Sequence, residues 1–122
     1  MLKSEDKVVA RFRDLCLALP ETRETDAFGH PNFHAGKRTF AAFEWIRGRP
    51  SLAFRVGADQ ADQLLMGGDL FLASPYGRGL WVSLWADGPL DWKLVETLIE
   101  QSYRQVALKR MLARLDGTAG AA

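Results

Sequence analysis

His30 and His34 are the two histidines of the chain, and their spacing of four is the first pattern that could carry chemistry. On a helix that spacing would offer two imidazoles to one metal ion, but Pro31 lies between them, and proline inside a helix clashes and removes a backbone donor. On a strand, residues four apart also share a face. A metal there would still need a carboxylate such as Asp26 or Glu44 from elsewhere in the chain. Structural or surface histidines are the favoured reading, and no metal site is assigned. The remaining catalytic signatures are missing too: the sequence carries no nucleophile elbow, no phosphate-binding loop and no dinucleotide fingerprint, and Gly77-Arg78-Gly79 is too short to stand for one. Cys16 is the single cysteine. It lies in an apolar helical stripe, which makes it a buried thiol and leaves neither a disulfide nor a cysteine-based zinc site. No catalytic residue and no cofactor follow, and the chain is read as a protein that is not an enzyme.

Cations at turns are the stronger signal. Three glycine-bearing turns carry Lys37-Arg38, Arg47-Gly48-Arg49 and Gly77-Arg78-Gly79. Lys37, Arg38, Arg47, Arg49 and Arg78 could straddle a phosphate backbone, since exposed lysine and arginine displace counterions when they meet it. Charged residues at hairpin tips also keep turns soluble and edges unpaired, so a purely structural role competes evenly. The second binding signal is aromatic. Trp81 and Trp85 share one face of a strand, with Arg55 expected nearby, and such a face could stack bases or anchor a protein partner. The competing reading buries one or both rings in the core.

These residues need elements to position them. Ser4 caps a helix whose apolar face is Val8, Phe12, Leu15, Cys16 and Leu19, and Pro20 ends it. Residues 21 to 31 alternate in charge and read as a loop, with a short strand at most around Thr25 to Phe28. Asn32 to Ala35, Thr39 to Ile46 and Ser51 to Val56 then form a three-stranded antiparallel meander. A short helix over 58–66 stops at Gly67-Gly68. Phe71 to Ala73 fits an edge strand, and Leu80 to Trp85 a further strand. Asp91 caps a long helix that continues through Met111, Leu112 and Leu115, where Lys109, Arg110 and Arg114 suit the negative end of the helix dipole. Residues 118–122 are read as a flexible tail after a single domain over 1–117.

Composition bounds the rest. The chain has 122 residues, and its sixteen basic and fifteen acidic side chains leave a net charge of +1. Nucleic-acid binding would therefore have to come from local clustering. The N-terminus is charged from the start, with no apolar signal core, and no run of about 20 apolar residues could span a bilayer. A cytoplasmic protein, monomeric or weakly dimeric, is expected. Segregated helices and strands make it an α+β two-layer sandwich, with an antiparallel sheet of four to six strands packed on the N- and C-terminal helices.

In order and spacing the chain resembles the MmcQ/YjbR family from its first helix to about Leu108. The resemblance rests on Leu19-Pro20-Glu21-Thr22, Phe28-Gly29-His30-Pro31 with Phe33, and the Gly36-Lys37 turn. It continues through the Phe54-to-Leu65 strand–helix junction, Pro75-Tyr76, Trp81-Val82, Asp91-Trp92 and Ser102-Tyr103. It implies a CyaY-like domain whose hairpins are likened to a double-wing DNA-binding motif. On that pattern Gly36-Lys37 matches the glycine–lysine turn, and Arg78 stands where members often have a base. DNA is the expected partner. The alternative is a protein partner on an open sheet face, with no nucleic acid.

Overall fold

The computed structural model describes residues 4–27, 29–68, 70–74 and 79–120. Ser4–Leu17 forms α1, and six strands follow: β1 (Thr22–Ala27), β2 (His30–Ala35), β3 (Arg38–Ile46), β4 (Arg49–Arg55), β5 (Phe71–Ala73) and β6 (Trp81–Trp85). Helix α2 (Ala58–Met66) lies between β4 and β5, while α3 (Trp92–Val106) and α4 (Lys109–Gly120) close the chain. The strands make one antiparallel sheet in the order β1-β2-β3-β4-β6-β5. The helices pack on one face of it, as the segregated sequence pattern implies.

The main core lies between the helices and that face. Phe12 and Cys16 of α1, Phe33, Phe43, Leu52, Phe54, Val82 and Leu84 of the sheet, and Val95, Leu98 and Tyr103 of α3 are all buried in it. Tyr103 satisfies its one polar group by donating from Oη to the Pro20 carbonyl at 2.8 Å, which ties α3 to the end of α1. Burial pushes the Cys16 thiol well above its ordinary pKa, and the negative charge of Glu24 adds to the effect. This thiol stays protonated and inert.

Four departures from the sequence reading bear on function. First, β1 is a full six-residue strand in place of a loop, paired with β2 from Thr22↔Ala35 to Ala27↔His30. Its residues are polar on both faces, which hides the alternation that marks a strand and suits a sheet edge. Its docking is polar as well, because Arg13 of α1 holds Glu24 with two hydrogen bonds, at 2.6 and 3.1 Å. Phe28, expected in this stretch, lies outside the described residues.

Second, the pairing of β2 with β3 shifts register between Phe33↔Ala41 and His34↔Thr39. The extra residue is Phe40, so both Phe40 and Ala41 reach the main core through a bulge that bends the strand.

Third, the C-terminal helix is broken. Ala107 is extended (φ −66, ψ 146), so α3 ends at Val106 and α4 starts at Lys109. Neither Ala107 nor Leu108 is a helix breaker, so tertiary packing sets the break. Folding back buries Met111 completely, worth about 1.5–3 kcal/mol for a side chain of this size. Arg104–Asp116 and Arg110–Glu21 fasten α4 to α3 and to the turn after α1.

Fourth, α4 runs to Gly120, so the expected tail from 118 is helical up to that residue.

Candidate functional site

Strand β3 separates the two basic hairpin turns. Gly36-Lys37 joins β2 to β3, and Arg47-Gly48 joins β3 to β4. Successive turns of a meander lie at opposite ends of the strand they share. The ends of the nine-residue β3, at about 3.3 Å per step, are roughly 26 Å apart, so the two turns expected to straddle one phosphate backbone lie at opposite ends of the strand. Arg78 lies outside the described residues.

The Arg47 end is already engaged. Arg47 and Gly48 both have positive φ (51° and 78°), the requirement of a type I′ turn, which orients the turn tightly. Arg49 makes two hydrogen bonds to Asp87, at 2.6 and 3.2 Å, and its guanidinium lies 3.7 Å over the Trp85 ring. Asp87, held by that hydrogen bond, is shifted below the usual carboxylate range.

The Lys37 end differs. Gly36, with φ of 63°, is the single positive-φ residue of its two-residue turn. The Arg23 guanidinium donates to the Gly36 carbonyl and braces the turn from the edge strand. Lys37 and Arg38 are exposed, and neither has an ion-pair partner among the described residues. They line a groove of about 540 Å³, whose other wall is Gln105, Val106, Ala107 and Leu108 at the α3–α4 break. Leu108, 46 % exposed, leans over Gly36, where an added Cβ would lie 3.7 Å from its side chain.

That break changes the meaning of the C-terminal bases. Lys109 and Arg110 stand in the first turn of α4, at the positive end of its dipole, and so do not complement a helix C-terminus. Arg110 is taken up by Glu21, whose pKa it lowers through their hydrogen bond. Lys109 is exposed beside Leu108 and has no ion-pair partner among the described residues. Sequence periodicity could not have found this placement, because the apolar spacing runs on through the break.

On the helix-free face Trp81 follows the buried of the two readings. Trp81 is 8 % exposed and packs on Ala42 and Ala53 in a small second core that includes no helix residue. Small Ala side chains on β3 and β4 leave room for the ring on this face. Arg55 pairs with Trp81 in register and is half-buried, as is Trp85. A more exposed ring, Trp45 at 45 %, lies on the opposite face, edge-on to the core residue Phe43 at 5.9 Å.

His34 sits on the helix-free face between the Thr25 and Thr39 hydroxyls, at 2.7 and 3.2 Å. His30 is half-buried at the other end of β2. Burial first, then the charge of Arg23, holds the His34 pKa below its ordinary 6.5. Since protonation is easier in the unfolded chain, stability is full above the unfolded pKa and is lost as pH falls through the lower folded value. Urea midpoints at about pH 7.5 and about pH 5.5, either side of the ordinary histidine pKa, should therefore differ more for the wild type than for His34→Gln. Equal differences would show that His34 does not couple folding to pH.

The sandwich with its bundled helices and six-stranded antiparallel sheet defines an α+β class shared with two solved structures. A Deinococcus radiodurans protein, DR2400, with the DUF419 domain, is 22% identical, with 88% of this chain and 87% of that one covered at a TM-score of 0.70. A Pseudomonas syringae protein is 16% identical, with 80% and 97% covered at a TM-score of 0.68. No curated protein matches the chain. The YjbR family model matches residues 17–105, and the chain belongs to the YjbR family. No helix among the described residues is long and apolar enough to cross a membrane.

Proposed function

We propose that this YjbR-family protein binds duplex DNA by its phosphate backbone, through Lys37 and Arg38 on the β2–β3 turn. The observation that carries the reading is the pair of exposed cations, without an ion-pair partner among the described residues, that line the groove against the α3–α4 break. The Arg23 contact to the Gly36 carbonyl braces the backbone of the turn that presents both charges. Binding of this kind reads charge and spacing more than base sequence. In this proposal the contact is a single wing, because Arg47 and Arg49 stand at the other end of β3 and Arg49 is committed to Asp87. The protein acts in the cytoplasm, as a monomer or weak dimer, with neither a catalytic centre nor a cofactor. A protein-contact role for the helix-free face has less support, since Trp81 is packed onto Ala42 and Ala53.

Fluorescence anisotropy with a short duplex at several salt concentrations tests the reading. Lys37→Ala with Arg38→Ala should lower the log–log salt slope by about two, roughly one for each phosphate that no longer meets a cation. Arg47→Ala should leave the slope unchanged. A double variant with the wild-type slope and affinity would remove the wing.

A further inference from the structure

We propose that the phosphate track leaves the hairpin and continues onto the α3–α4 junction, with Lys109 as its third contact. The proposal rests on the reading of Lys37 and Arg38 as backbone contacts. Two features of the residue preceding Lys109 bring the start of α4 next to them. That residue, Leu108, forms the wall of the groove that Lys37 and Arg38 line, and Leu108 packs over Gly36 of the same turn. Lys109 therefore follows directly on the residue that walls the groove, where a hairpin and a helix start far apart in sequence meet.

The nearby bases are engaged by acids, Arg104 by Asp116 and Arg110 by Glu21, whereas Lys109 has no such partner among the described residues. Lys109 also gains nothing from its own helix. The first turn of α4 is where the dipole favours an acid, and the carbonyl of Leu108 already accepts from Met111 and Leu112 at 2.9 and 3.0 Å. A cation placed against its helix dipole and left without an acid is suited to an anion brought from outside. Helix α4 lies beyond residues 17–105, which the family model matches.

Charge reversal separates a binding role from a structural one. Lys109→Glu puts an acid where the dipole favours it, so its melting temperature should equal or exceed that of the wild type. Its affinity for a short duplex should nevertheless fall further than that of Lys109→Ala. Lys109→Ala should lower the salt slope by about one, and Lys109→Arg should restore it. If the Lys37/Arg38 double variant has a reduced slope while Lys109→Ala and Lys109→Glu bind as the wild type does, the track ends at the hairpin and this proposal alone fails. If the wild type shows no salt-sensitive duplex binding, the proposed function and the track fall together.

Discussion

Phe12→Ala is expected to cost about 3–5 kcal/mol of folding stability, the range for removing a buried phenylalanine. Phe12 is wholly buried. It meets Phe33 of β2 edge-on at 5.5 Å and Phe54 of β4 edge-on at 5.9 Å, so one ring on α1 grips two strands at once. Each such aromatic pair adds about 0.5–1.5 kcal/mol beyond the area it buries. Refilling the space would require Phe33 or Phe54 to move, and both belong to strands paired on each side. The cavity would therefore persist, which puts the cost toward the upper part of the range. A domain of this size has about 5–15 kcal/mol in total, so the variant should unfold at much lower urea. Leu17→Ala, at a 41 % exposed position of the same helix, should change the midpoint little. A loss below about 1 kcal/mol for Phe12→Ala would mean that α1 is not docked on the sheet through this ring.

The second large effect is expected from Trp81→Ala, and it distinguishes a packed ring from a displayed one. At 8 % exposure, lying on Ala42 and Ala53, the indole should cost about 3–5 kcal/mol to remove. Trp45→Ala, at a 45 % exposed position, should cost about 1 kcal/mol or less. A ring displayed for a partner would give the opposite pattern, with binding lost and stability kept. Equal urea midpoints for Trp81→Ala and the wild type would put that ring back on the surface and revive the helix-free face as a contact site. If Trp81→Ala is destabilised as expected, the face is a second, smaller core, and failure to bind a partner in this variant would be a consequence of unfolding.

Much of this architecture is written in local pattern. The stripe through Phe12 and Cys16, the alternation of Leu52, Phe54 and Val56, and the Asp91 cap, which accepts from the Lys93 and Leu94 amides, are signals within a few residues. Each one specifies an element without reference to the rest of the fold. Strand β1 escaped such reading because an edge strand with polar residues on both faces owes its strand character to β2 and to the Arg13–Glu24 pair. For Trp81 two readings stayed open, because alternation tells which face a residue occupies, and not whether the residues beside it on that face are small enough for the ring to be buried there.

The candidate site divides in the same way. By itself the sequence determined that glycine-bearing turns carry Lys37, Arg38, Arg47 and Arg49, because turn chemistry and charge are properties of adjacent residues. Only the tertiary structure decided which of those charges work together. The antiparallel meander sends successive turns to opposite ends of β3, which separates Lys37 and Arg38 from Arg47 and Arg49. The break after Val106 brings Leu108 to the Lys37 end, with Lys109 the next residue in the chain. Burial of Met111 drives that break, a gain that exists once the sheet and α3 are in place, and so no spacing in the last helical stretch could have announced it.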